Sequence, residues 1–246
     1  MHILVTAGNT LTPIDKVRGI TNIFTGRTGT AIALHAHHCG HRVTLLTSRP
    51  EIIDALRHPE QNLLESWDVQ TYHTFDDLEQ LLAKTVPTLP DVIIHCAAVS
   101  DYRVAGVYAP QTNDDKKDNK DRLSPNLTDV SEGKVKSRHP ELWLRLIPTP
   151  KLIDKFRSDW QFRGLLVKFK LEVGLSEAEL LAKAESARQQ SLADLMVANS
   201  LETAHEWAYL GPLNGSSTDN YRKVSRSELP ARLLAAIVTQ MEKSHG

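Results

Sequence analysis

Cysteine, aromatic residues and excess charge of either sign are all scarce in this chain. Its 246 residues hold two cysteines, Cys39 and Cys96. That is too few for a disulfide framework, so stability must come from an apolar core, and a reducing, cytoplasmic setting is expected. Aromatics make up 6% of the residues and the formal net charge is −1. No global field draws such a chain to nucleic acid or to an anionic membrane surface. No apolar run approaches the ~20 residues a membrane helix needs. The N-terminus also has no basic segment and no small-residue cleavage site of the secretory kind. Two well-known phosphate motifs are missing as well. No G-x-G-x-x-G follows the first apolar run, and no Lys-Ser/Thr pair completes a Walker-type loop.

What is present is ordinary globular material. Hydrophobic residues are 41% and charged residues 24%, enough for a sizeable core at this length. Short apolar runs alternate with helical patterns. Ile3-Leu4-Val5 reads as a buried first strand, Asn9 to Thr25 as a loop, Gly26 to Cys39 as a helix stopped by Gly40, and Arg42 to Thr47 as a second strand. Pro50 to Arg57 is a helix, Val69 to Tyr72 a strand, Asp76 to Ala83 a helix and Asp91 to Cys96 a strand apolar on both faces. Such alternation predicts an α/β fold with a Rossmann-like, doubly wound, mostly parallel sheet.

Residues 109–141 interrupt the pattern, and the polar run Asn113 to Asp121 reads as a surface loop or flap. Beyond it, Leu142 to Ile147 and Gly164 to Leu171 are strands. Thr149 is the expected N-cap of a helix with Pro150 in its first turn. Ser176 and Glu179 form a capping-box pattern opening a long helix. Leu195 to Ala198 is a strand, 211–220 a loop, and Glu228 to Lys243 a closing amphipathic helix. The absence of repeats and linkers predicts one domain over 1–246, with 109–141 and 211–224 as flexible or dimer-contact segments.

In an open parallel sheet, ligands bind beyond the carboxyl ends of the strands. Three segments occupy such places. Gly8 and the turn Thr25-Gly26-Arg27-Thr28-Gly29 lie before a helix N-terminus, where free N–H groups and the helix dipole favour a phosphate. The same glycines also suit a turn that merely starts a helix. Ala97 to Arg103 offers two small residues beside Asp101, which suits either a nucleotide or a simple capping carboxylate. Lys134-Val135-Lys136, if extended, places two amines on one face, as an anion site or a lysine-protected edge strand would. His35, His37 and His38 lack a carboxylate or thiolate at matching spacing other than Cys39, so no metal site is expected. Cys96 reads as a small buried hydrophobe.

Taken in order, these pieces resemble phosphopantothenate–cysteine ligase, closest to its free-standing bacterial form. Thr6 to Thr10, Pro13 to Asn22 and Thr25 to Gly29 resemble the family pattern T-A-G-G-T, P-I-D-x-V-R-x-I-S/T-N, S-S/T-G-x-x-G. The likeness continues through Ala97 to Arg103, Lys134 to Lys136, Thr149 to Ile153, Phe169 and Ala193 to Asn199. It implies an amide ligase that activates the carboxylate of 4′-phosphopantothenate with CTP or ATP and Mg²⁺, then passes the acyl group to cysteine. Asn22, Arg18 and Lys134 would be the catalytic set. Gly8, Thr25, Gly26, Thr28 and Gly29 would bind phosphate. Ala97, Asp101, Lys134, Pro150, Lys151, Leu152, Ile153 and Phe169 would form the nucleotide pocket. A homodimer is implied, in which a segment of one subunit helps to close the site of the other. No flavin is expected, and a separate decarboxylase would act next. The sequence departs from the pattern at Asn9, Thr149, Lys151 and Ser200, and carries Ser186 and Gln190 where the family has two helix lysines. Two other readings use the same sheet. A short-chain nicotinamide-dependent reductase needs Tyr-x-x-x-Lys, which none of the five tyrosines provides. The other is a non-catalytic, nucleotide-sensing relative of the ligase.

Overall fold

The computed structural model describes residues 1–57, 66–111, 126–213 and 218–245. The polar run 113–121 lies outside these residues. An eight-stranded sheet forms the centre. It contains β1 (His2–Ala7), β4 (Arg42–Thr47), β5 (Trp67–Thr71), β6 (Val92–His95), β10 (Leu165–Glu172), β11 (Leu195–Ser200), β12 (Trp207–Gly211) and β13 (Arg222–Ser225). Their spatial order is β13-β12-β11-β10-β6-β1-β4-β5. Six strands run parallel, and β12 and β13 pair antiparallel at one edge.

The period of two along β1 explains why the sheet is covered on both sides. Ile3 and Val5 join a cluster with Ile32 and Leu34 of α1 (Arg27–His38) and Leu233 and Ile237 of α6 (Leu229–His245). Leu4 faces the other way, with Leu78 and Leu82 of α3 (Phe75–Thr85) and Phe156 of α4 (Leu152–Ser158). Continuous apolar runs are what a two-sided parallel sheet requires. The expected capping box is present. Ser176 accepts from the Glu179 N–H, and Glu179 accepts in return, at the start of α5 (Glu177–Gln190). A short helix, α2 (Glu51–Leu56), follows β4. Among the described residues no helix is long and apolar enough to cross a membrane.

Four expectations need correction. The stretch expected as a loop from Asn9 to Thr25 contains a hairpin, β2 (Leu11–Pro13) with β3 (Gly19–Thr21). Residues 109–141 are not simply a break. β7 (Tyr102–Pro110) pairs antiparallel with β8 (Leu127–Asp129) and with β9 (Trp143–Pro148), giving a separate three-stranded sheet. The 211–224 segment holds β13, which pairs with β12. Thr149 does not cap α4. Lys151 occupies the N-cap without a side-chain cap, while Thr149 donates its hydroxyl to the Ser100 carbonyl at 2.7 Å.

Candidate active site

The order of strands reverses between β1 and β6. From β1 the chain moves to β4 and β5 on one side, and later to β6, β10 and β11 on the other. Loops leaving β1 and β6 therefore separate there and open a crevice. Backbone bonds lock the two loops together. Ala98 N–H donates to the Gly8 carbonyl at 2.8 Å, and Thr10 N–H to the Ala98 carbonyl at 3.3 Å.

Glycine is required in this crevice for stated reasons. Gly8 has φ +94° and Gly26 has φ +80°, a region that L side chains avoid. A Cβ on Gly26 would stand 2.4 Å from the Gly8 nitrogen. A Cβ on Gly29 would stand 2.8 Å from the Ala7 side chain, so α1 packs directly on β1. The turn thus aims the N-terminus of α1 at the end of β1. No side chain caps this helix, its first turn holds no acidic residue, and its first residue is Arg27. A cation at the positive end of a helix dipole is unfavourable unless an anion joins it.

The turn and the β6 loop share one cavity of about 510 Å³. Of the residues singled out from sequence, Gly8, Thr25, Gly26, Thr28, Ala97 and Phe169 line it. Gly29 lies buried just behind, at the foot of α1. Asn22 is half-buried at its rim, and its amide donates to the Ala98 carbonyl at 2.9 Å. One amide hydrogen is thereby engaged and the second is left for a ligand.

The remaining residues sit elsewhere. Arg18 and Lys134 line a separate hollow with Lys136 and Arg138. Arg18 pairs with Asp15 at 2.7 Å and donates to the Val135 carbonyl at 2.6 Å. Asp15 also accepts from the Val135 N–H at 3.1 Å. Hydrogen bonds from Val17 N–H and the Arg18 side chain hold the Asp15 carboxyl well below the usual range. The segment 134–136 is irregular rather than an edge strand, with Val135 buried between two exposed lysines. Asp101, Pro150 and Lys151 are exposed and line neither cavity. Leu152 and Ile153 point into the core, so only their backbone is available to a ligand. Asp101 and Thr149 are nevertheless joined, Thr149 N–H donating to the Asp101 carbonyl at 2.9 Å.

Several residues of the site carried no local sequence signal. Asn9, buried, accepts from Ser48 at 3.0 Å and donates to the Asn22 carbonyl at 2.6 Å, bracing the hairpin against β4. His95 contacts Thr6 at 3.0 Å, and Thr6 in turn accepts from the Ala97 N–H. Burial lowers the His95 pKa from 6.5 to about 4, so the ring is neutral at physiological pH. Lys170, Asn199 and Arg226 also line the cavity. Lys170 alternates with Lys168 along β10, which is a legible cue for a basic strand end.

An open, mostly parallel sheet with a cation-lined cavity and an uncapped helix start at its strand-order reversal places the chain among the doubly wound α/β proteins, in the arrangement that suits a phosphate group. Residues 1–128 match the model of the DNA/pantothenate metabolism flavoprotein C-terminal domain, and the chain belongs to that family. The coenzyme A biosynthesis bifunctional protein CoaBC of Thermococcus kodakarensis is 36% identical over 201 residues, which cover 82% of this chain and 41% of that protein. The Escherichia coli CoaBC is 27% identical over 223 residues, covering 89% and 44%. The chain thus spans about two-fifths of the length of these curated relatives. The crystal structure of the DNA/pantothenate metabolism flavoprotein from Streptococcus pneumoniae superposes with a TM-score of 0.75 at 26% identity, covering 98% of this chain and 99% of that one. A Cab2 mutant in complex with phosphopantothenate-cysteine shares the fold, with a TM-score of 0.71 at 20% identity over 100% and 89% of the two chains.

Proposed function

We propose that this chain joins 4′-phosphopantothenate to L-cysteine through an acyl-nucleotide. One observation carries the reading. The phosphate turn, the Asn22 amide and the small residues after β6 meet at a single crevice. Curated relatives are named for coenzyme A biosynthesis, and a structure of the same fold is described in complex with phosphopantothenate-cysteine.

The chemistry follows from the weakness of a carboxylate as an acceptor for an amine. Its oxygen attacks the α-phosphorus of CTP or ATP, and pyrophosphate leaves. The cysteine amine then attacks the acyl carbon, a proton leaves the nitrogen, and the nucleoside monophosphate departs. Positioning and charge neutralisation carry most of the work. In this reading the Gly26–Thr28 turn takes phosphate, Ala97 and Phe169 flank the base or sugar, and the second Asn22 hydrogen donates to the acyl oxygen. Among the described residues the lining of the cavity contains no carboxylate, and no group of three metal-ligating residues occurs. These residues do not form a magnesium site of their own, so magnesium belongs with the triphosphate.

Arg18 and Lys134 lie outside that cavity, which supports the homodimer. In our reading they serve a partner's nucleotide across a shared face. Ile23 is 83% exposed and Val17 66%, and both sit on the segment around the hairpin. Apolar side chains so placed suit a subunit contact. The assay is direct. The protein is incubated with Mg²⁺, phosphopantothenate, cysteine and either CTP or ATP, and pyrophosphate and amide are measured. We expect pyrophosphate release that depends on phosphopantothenate. No release with either nucleotide contradicts the reading.

A further inference from the structure

Arg226 follows β13 and reaches back into the wall of the same cavity as the phosphate turn. Two of its nitrogens are held. Nη2 donates to Asn199 Oδ1 at 2.8 Å, and Nε donates to the Ala204 carbonyl. Its Nη1 is buried and has no hydrogen-bond partner among the described residues. Among the described residues no carboxylate forms an ion pair with this guanidinium, and the charge nearest in effect is the Cys96 thiol, itself held neutral because burial pushes it up to about 12. Burial disfavours the charged form of Arg226. A guanidinium does not give up its proton, however, so the charge stays.

A half-buried cation with no counter-ion among the described residues is held at a cost. The other cations of the cavity are better served. Lys170 pairs with Glu172 at 2.9 Å. Arg27 is exposed to solvent. Among the described cations lining the cavity, Arg226 combines partial burial, an unused donor and no carboxylate partner. Among the described residues the cavity around it has no acidic lining residue, and it holds an uncapped helix start.

We propose that Arg226 is an anion-binding residue of the site, carrying a phosphoryl group of the bound nucleoside triphosphate and of the pyrophosphate that leaves. The assignment rests on the ligase reading for the identity of the ligand, and on geometry for the residue. Asn199 and the Ala204 carbonyl fix two edges of the guanidinium plane, and Nη1 keeps its donors unused beside the cavity.

Calorimetric titration tests this, using the wild-type protein, Arg226→Gln and Arg226→Lys. The probes are CTP, ATP, inorganic pyrophosphate and the unphosphorylated nucleosides cytidine and adenosine. Glutamine removes the charge and is expected to weaken binding of the triphosphate and of pyrophosphate roughly 10- to 100-fold. Lysine keeps the charge without the fork and is expected to fall between the two. Nucleoside binding is expected to be unchanged. Equal triphosphate and pyrophosphate affinities in all three proteins would overturn the proposal. So would an equal loss of nucleoside and triphosphate binding, because that marks a residue that only holds Asn199 and the Ala204 turn in place. Thermal unfolding is measured on both variants, and the lysine form is expected to unfold cooperatively even where the glutamine form is weakened. The two ideas separate cleanly. Amide synthesis by the wild type with unchanged affinity in Arg226→Gln removes Arg226 alone. Arg226-dependent triphosphate binding without amide synthesis removes the ligase reading alone.

Discussion

At the scale of single residues, the crevice depends on atoms that are absent. Gly26 combines φ +80° with a Cβ position 2.4 Å from the Gly8 nitrogen. Gly26→Ala must therefore displace backbone, and a loss of about 1–3 kcal/mol is expected in urea unfolding, together with weakened nucleotide binding. Unchanged stability would mean that the turn is looser than the geometry implies. Asn22 is a different case, since it acts through a donor. Asn22→Asp keeps the shape but cannot donate to an acyl oxygen. Phosphopantothenate-dependent pyrophosphate release is expected to persist while amide formation fails, and quenched single-turnover reactions analysed by mass should show the acyl-nucleotide accumulating. Full amide yield would remove Asn22 from the mechanism. The motif around Asn22 was legible because its residues are contiguous. Its supports were not. Asn9 is braced by Ser48, and Thr6 by His95, 39 and 89 residues apart along the chain. No local pattern announces such partners.

His95 also gives a pH dependence. Its folded pKa is about 4 and its ordinary value 6.5. The unfolded chain takes up the proton first as pH falls, so the stabilising contribution is whole above 6.5 and is lost progressively toward 4. Denaturant unfolding of wild type and His95→Leu across that window is expected to show a steeper loss in the wild type. Parallel curves would contradict the assignment of a neutral, buried imidazole.

At the scale of elements, α5 packs Leu180 and Ala184 on Met196, Ala198 and Tyr209, and a polar network ties it further to the edge of the sheet. Glu185 of α5 accepts from Arg188 at 2.7 and 2.8 Å, and from Tyr221, just before β13, at 2.9 Å. These bonds, led by Arg188, lower the Glu185 pKa from 4.5 to about 2. Its contribution is present above pH 4.5 and is lost as pH falls toward 2. Glu185→Gln is therefore expected to flatten the acid limb of the stability curve and to lower stability at neutral pH, as followed by circular dichroism. An unaltered acid limb would show that the network contributes nothing. The elements legible in sequence were those with long runs or caps. β1, β4 and β6 are continuous apolar strands, and Ser176-x-x-Glu179 announces α5. The antiparallel strands were harder. β2, β3 and β8 have three residues each, too short for a period of two to register. The run Trp207-Ala208-Tyr209-Leu210 does carry a buried-strand signal, and the Gly-Ser-Asn stretch after it obscures its partner β13. Thr149 misled for a reason the fold supplies. Its hydroxyl is taken by the Ser100 carbonyl, which draws the 149–151 segment toward the β6 loop and delays the start of α4.

At the scale of the whole molecule, the sequence motifs separate into two places. The phosphate turn and Asn22 share one crevice, while Arg18 and Lys134 line a basic hollow clamped by Asp15. A sequence fixes order along the chain and not which subunit completes a site, so this division was not legible. If Lys134 serves a partner's nucleotide, Lys134→Gln slows pyrophosphate release, and it does so in trans. Mixing Lys134→Gln with Asn22→Asp by subunit exchange would build dimers with one intact site. About a quarter of wild-type sites is then expected to return at equal mixing. No recovery, with subunit exchange demonstrated, would place Lys134 within its own subunit's site or outside the mechanism.

An acyl-nucleotide formed in the crevice carries an oxygen from the acid to the nucleotide in the proposed chemistry, and the transfer of that oxygen reports on it. Phosphopantothenate labelled with ¹⁸O in its carboxylate is turned over with cysteine and the nucleotide the protein prefers. One ¹⁸O is predicted to appear in the nucleoside monophosphate, carried there when the amine displaces it. Label found in inorganic phosphate, or retained wholly in the organic product and unreacted acid, would contradict the proposed chemistry.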